Sequence, residues 1–84
     1  MITVLSFNAP WCNPCEAMKP TVREALSGRD DVNFVSIDID EDVEKAREYK
    51  VRSIPTLLLM KDNNEIDRLV GNHNIERVKE FINQ

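Results

Sequence analysis

Two cysteines three positions apart, in the run Trp11-Cys12-Asn13-Pro14-Cys15, stand where a strand-like apolar segment gives way to a helix-like one. Residues at that spacing in a first helical turn have Cα atoms roughly 5 to 6 Å apart, inside the range a disulfide requires. The two thiols can therefore open and close without moving the fold. A helix N-terminus also presents unpaired N–H groups and a partial positive charge, which favour thiolate over thiol. Cys12, at the cap, is expected to be the more acidic and the more exposed of the pair. A field worth up to ~2 kcal/mol raises its thiolate fraction near neutral pH about fifteenfold. Roughly fivefold of that is given back, because nucleophilicity falls with basicity. The larger gain is that Cys12 becomes a good leaving group. Cys15, one turn deeper, is placed to attack a mixed disulfide at Cys12 and release a reduced substrate.

Two plainer uses of the pair are weak. A structural bridge closing so short a loop removes only about 2 kcal/mol of chain entropy. A zinc site needs four ligands, and His73 is the one further soft candidate, so no metal is expected. The acidic run Asp38-Ile39-Asp40-Glu41-Asp42 lacks the Gly and Glu spacing of a calcium loop, and its charges suit a helix start.

The run Phe7-Asn8-Ala9-Pro10-Trp11-Cys12-Asn13-Pro14-Cys15, with Pro20, Ile54-Pro55-Thr56 and Val70-Gly71 after it, resembles the thioredoxin family over nearly the whole chain. A bare C-x-x-C is a weak signal. The preceding Trp, the Pro inside and the later Ile-Pro-Thr make it specific.

Patterning along the chain agrees with an α/β fold in the order β-α-β-α-β-β-α. Ile2 to Phe7 reads as a central strand, apolar on both faces. A helix follows to about Ser27, with Ala17, Met18, Val22, Ala25 and Leu26 inward, Pro20 kinking it and Gly28 ending it. Val32 to Ile39 is a second strand, and a short helix through Lys50 buries Val43, Ala46 and Tyr49. Thr56 to Met60 and Glu65 to Val70 form a hairpin around Lys61-Asp62-Asn63-Asn64. Asn74 caps a last helix with Ile75, Val78, Phe81 and Ile82 on one face. The first two strands are expected parallel and the hairpin antiparallel, giving the thioredoxin-like fold: a four-stranded mixed sheet flanked by three helices.

At 84 residues the chain is expected to form a single domain, residues 1–84. Its net charge of −4, with Lys and Arg scattered, argues against a nucleic-acid partner. The longest apolar run, Ile54 to Met60, is too short to span a bilayer. The chain opens directly in a strand with no visible leader, so a cytoplasmic monomer is expected, where a catalytic pair is commoner than a structural disulfide.

The resemblance implies a protein thiol-disulfide oxidoreductase, a reductant in electron transport with no bound cofactor beyond the Cys12–Cys15 disulfide. Catalytic roles fall on Cys12 and Cys15. The substrate surface falls on Trp11, Asn13, Pro14, Ile54, Pro55, Gly71 and Asn72. Pro55 is expected to be cis against the cysteines, and Ile54 to pair its backbone with an extended substrate. Trp11 is expected half exposed as a packing and contact residue, Met18 in the core, and His73 as a solvated loop residue rather than a base. Partners implied are protein disulfides and a thioredoxin reductase or glutathione for recycling. Ribonucleotide reductase is a candidate acceptor. A glutathione-linked, glutaredoxin-like enzyme is the near alternative, although Trp11 and Asn13-Pro14 fit it less well. A redox-inert binding subunit is the alternative of another class.

The chain departs from the family in its polar core. Ser6 stands where thioredoxins usually bury an Asp, Ser36 where a Lys often accompanies it, and Asn8 replaces a common Trp. Losing both charges together avoids stranding one of them. Glu16 replaces a common Lys and is expected to oppose thiolate formation. Water held by Ser6 is the expected route for proton transfer to and from Cys15.

Overall fold

A computed structural model describes residues 2–84. The elements are β1 (Ile2–Asn8), α1 (Asn13–Leu26), β2 (Val32–Asp38), α2 (Val43–Glu48), β3 (Thr56–Lys61), β4 (Asn64–Val70) and α3 (Ile75–Ile82). They form one sheet in the order β2-β1-β3-β4, with β1 parallel to β2 and antiparallel to β3, and β3 antiparallel to β4. The element order and strand directions match those read from the sequence.

Strand alternation sets the layers. Leu57 and Leu59 of β3 join Val4 of β1 beneath α1 and α3, against Met18, Val22, Val78, Phe81 and Ile82. Leu58 and Met60 point the other way and join Phe7 and Ile37, with Ala46 and Tyr49 of α2 packed on them. A strand buried on both faces reads as a continuous apolar run, which residues 57–60 supply. The Phe7 and Tyr49 rings meet edge to face with centroids 6.0 Å apart.

Two inward positions expected from periodicity are corrected. Ala17 is exposed, because the buried stripe of α1 is Cys15, Met18, Val22 and Ala25, and Ala17 lies one residue off it. Val43 is 49% exposed, because α2 is only six residues long and meets the sheet through Ala46 and Tyr49. α2 also stops at Glu48, short of Lys50. α1 runs as one element through Pro20.

Non-glycine residues with positive φ make two of the chain's turns. Asp62 and Asn63, at φ 51° and 71°, form the two-residue hairpin whose twist matches the strands. Lys50, at φ 55°, closes α2: its N–H donates to the Arg47 carbonyl at 3.1 Å and that of Val51 to the Ala46 carbonyl at 2.9 Å. Two carbonyls just past the helix end are met from β4. Arg68 donates to the Tyr49 carbonyl at 2.8 Å and reaches that of Lys50 at 3.5 Å, while two of its nitrogens hold Glu65 at 2.6 and 2.7 Å.

Arg68 thus fastens α2 to the sheet, and its hydrogen bonds hold the Glu65 carboxyl below its ordinary value of 4.5. A depressed carboxyl contributes stability above its unfolded-state value and loses it as pH falls through the folded one. Arg68→Ala is expected to lower the unfolding free energy near neutral pH by about 1–2 kcal/mol. Between about pH 5 and about pH 3 the variant is then expected to lose less further stability than the parent. Urea denaturation at a series of pH values reads both effects.

Candidate active site

The segment after β1 is a tight turn into α1. The Cys12 N–H donates to the Ala9 carbonyl at 3.2 Å, and the Cys12 carbonyl accepts the Glu16 N–H at 3.2 Å, the first bond of the helix. Cys12 has extended backbone angles and is the N-cap. Its sulfur accepts the Cys15 N–H at 3.2 Å. A cap side chain ordinarily receives the N–H of the second or third helical residue, and the second here is Pro14, which has none. The sequence therefore directs the cap bond onto Cys15.

Cys12 and Cys15 are joined in a disulfide with Cα atoms 5.2 Å apart. Both cysteines are nearly covered, Cys12 at 5% exposed and Cys15 at 2%, so Cys12 is the more exposed of the pair, as expected. Ala9 packs with the two cysteines, and Ile39 and Ile54 cover the cluster. Glu16, expected to oppose thiolate formation, is paired with Lys19 Nζ at 2.8 Å, which offsets its charge.

Two distant segments are brought to the bridge. The Ile54–Pro55 peptide is cis, and Pro55 is buried. Its carbonyl accepts the Gly71 N–H at 2.8 Å, which ties the loop after β4 to the turn before β3. Gly71 has φ 91°, a conformation that costs a side-chain-bearing residue about 1 kcal/mol or more. Asn13, Pro14 and Asn72 are exposed around this junction. His73 is not simply solvated: it is partly buried, its Nε2 faces the Val70 carbonyl at 2.8 Å, and its backbone N–H donates to Met18 Sδ at 3.5 Å.

Trp11 is 64% exposed, and its indole N–H donates to Asp40 Oδ2 at 2.7 Å. Nothing in the local sequence marks Asp40, which reads there as one of a run of helix-start acids. The strand register supplies the missing signal. Asn8 pairs with Asp38, so Trp11 and Asp40 leave the same end of the sheet a few residues later.

The polar residues of β1 and β2 also converge. Ser6 pairs with Ser36 across the strands, and Asn8 Nδ2 lies 2.9 Å from Ser36 Oγ and 3.2 and 3.4 Å from the carbonyl and hydroxyl oxygens of Ser6. The bridging role of Asn8 is absent from the sequence reading. Ser6 and Cys15 border one cavity of about 320 Å³. Among the described residues, no group of three or more His, Cys, Asp or Glu is placed to hold a metal ion, and no helix is long and apolar enough to cross a membrane.

Asp40→Ala is expected to change stability by less than about 0.5 kcal/mol, as an exposed position. It should also free the indole, which fluorescence anisotropy of the single tryptophan would register as faster local motion.

A family model described as Thioredoxin matches residues 1–84. Thioredoxin H5 of Oryza sativa subsp. japonica is 42% identical over 78 residues, 93% of this chain and 58% of the relative. The thioredoxin of Bacillus subtilis is 38% identical over 84 residues, covering 99% of this chain and 81% of its own. The crystal structure of a thioredoxin from Nicotiana alata superposes with a TM-score of 0.88 at 38% identity, over 98% of this chain and 71% of the other. The chain spans about half the length of the first curated relatives it matches, between 40% and 62%.

Proposed function

The chain belongs to the thioredoxin family, and from that premise we propose that it is a protein-disulfide reductase working through Cys12 and Cys15. The observation that carries this reading is the sulfur of Cys12 serving as the cap acceptor of α1, with its partner cysteine in bridging range. In the reduced protein the Cys12 thiolate attacks a substrate disulfide. A Cys12–substrate bond forms, and the other substrate sulfur leaves as a thiolate and takes a proton. Cys15 then gives its proton to water, attacks the Cys12 sulfur and closes the Cys12–Cys15 bond, so the second substrate sulfur departs reduced. Two electrons pass from the pair to the substrate.

Because the bridge is nearly covered, exchange follows docking. Trp11, Asn13, Pro14, Gly71 and Asn72 form the surface, with the Ile54 backbone ahead of Pro55 receiving an extended segment by strand addition. The Trp11–Asp40 bond holds the indole at the rim. Ser6 is assigned to hold the water that receives the Cys15 proton, a reading supported by the shared cavity and by hydroxyls standing where a buried acid would otherwise lie. The family relationship supports recycling by a thioredoxin reductase, with ribonucleotide reductase among the protein disulfides served. We place this electron carrier in the cytoplasm as a monomer, where reducing conditions keep such pairs catalytic rather than structural.

Insulin reduction coupled to NADPH and a thioredoxin reductase tests the activity. Cys12→Ser is expected to abolish it, and Cys15→Ser to trap a mixed disulfide visible by mass spectrometry. Turnover with glutathione alone would move the protein to the glutaredoxin-like class. An unchanged cellular role for the double Cys→Ser variant would make it a binding subunit. Ser6→Ala is expected to slow resolution of a preformed mixed disulfide about three- to tenfold and to leave the rate of Cys12 attack unchanged, on the scale of one lost hydrogen bond to the relaying water. A rate of resolution equal to that of the parent across the pH range would remove Ser6 from the mechanism.

A further inference from the structure

The cavity at Cys15 is larger than a proton relay needs. Its volume of about 320 Å³ lies at the lower end of the ~300–1,000 Å³ typical of ligand pockets. It is also roughly twice an engineered ~150 Å³ apolar cavity that admits benzene, which leaves room for one ring and a short polar tail. Met18 and Val22 of α1 and Phe34 of β2 form apolar walls, and Phe34 is 46% exposed at the open side. The linked Ser6, Asn8 and Ser36 side chains form a polar floor on the sheet. Space exists there because these three small polar residues occupy the α1-facing side of the strands, where Val4 fills it further along β1.

The rim carries one uncompensated charge. Arg23 borders the cavity and is exposed, and among the described residues it has no carboxylate partner. Arg29, Arg47, Arg68 and Arg77 each face one. Lys19, also at the rim, is already paired with Glu16. A guanidinium fork beside an apolar slot matches a planar carboxylate carried on a ring.

We propose that this cavity is a binding site for a small aromatic carboxylate, with the ring between Phe34, Met18 and Val22 and the carboxylate on Arg23. Binding itself is independent of the reductase reading. Its consequence rests on that reading: a ring seated against Cys15 displaces the water that accepts its proton, so closure of the Cys12–Cys15 bond slows while attack by Cys12 on substrate does not.

Titration of the oxidised, non-turning-over protein with 3-phenylpropionate, followed by amide chemical shifts, tests the site. Saturable shifts are expected at Ser6, Phe34 and Ser36. Arg23→Ala and the neutral ligand 3-phenylpropionamide should each weaken binding about three- to fivefold, the size of a partly solvated ion pair. Combining the two changes should add no further loss. Arg23→Lys should restore part of the affinity. Absence of saturation at millimolar ligand, shifts centred elsewhere, or equal binding of acid and amide would overturn the proposal. Failure of the insulin assay alone would leave the binding site standing and remove only its effect on turnover. Binding that leaves mixed-disulfide resolution at its parent rate would overturn that effect.

Discussion

The Cys15 N–H held 3.2 Å from the Cys12 sulfur is the contact on which the rest depends. Helix ends need acceptors for their first N–H groups, and oxygen side chains usually provide them. Here a sulfur does so, and Pro14 removes the competing N–H at the preceding position. The atom that completes the helix is therefore the atom to which the proposed reductase chemistry assigns the attack. Reduction to a thiolate strengthens that acceptor, so the charge the chemistry requires is also the charge the helix end favours.

Everything around that contact restricts access to it. Ile39 and Ile54 cover the bridge, and Pro55 and Gly71 are locked together by one main-chain bond. Trp11 is held over the surface by Asp40. These groups come from four connections at one end of the sheet: the turn after β1, the segment between β2 and α2, the segment between α2 and β3, and the loop after β4.

Behind the bridge the chain has a neutral solution where its family usually carries charge. Ser6 and Ser36 face each other in register, and Asn8 joins them, so each polar group has a partner without an ion pair. Among the described side chains, no buried nitrogen or oxygen lacks a hydrogen-bond partner. The volume released by these small residues is the cavity beside Cys15, and its rim takes its charge from α1 rather than from the sheet.

Much of this was legible in the residue order. The apolar run 57–60, the capping Asn74, the Asp62-Asn63 turn and the C-x-x-C spacing are local signals, and local backbone chemistry decides each of them. The sequence by itself also determined that both charges of the family's buried pair are gone. It did not reveal that Cys12 is covered, that Val43 faces solvent, that Asp40 is the partner of Trp11, or that Asn8 ties Ser6 to Ser36. Those facts depend on which residues of separate strands stand opposite one another and on what packs over them. Periodicity identifies a face but not its neighbour, and only the parallel register of β1 on β2 brings residues some thirty positions apart into one hydrogen-bond network.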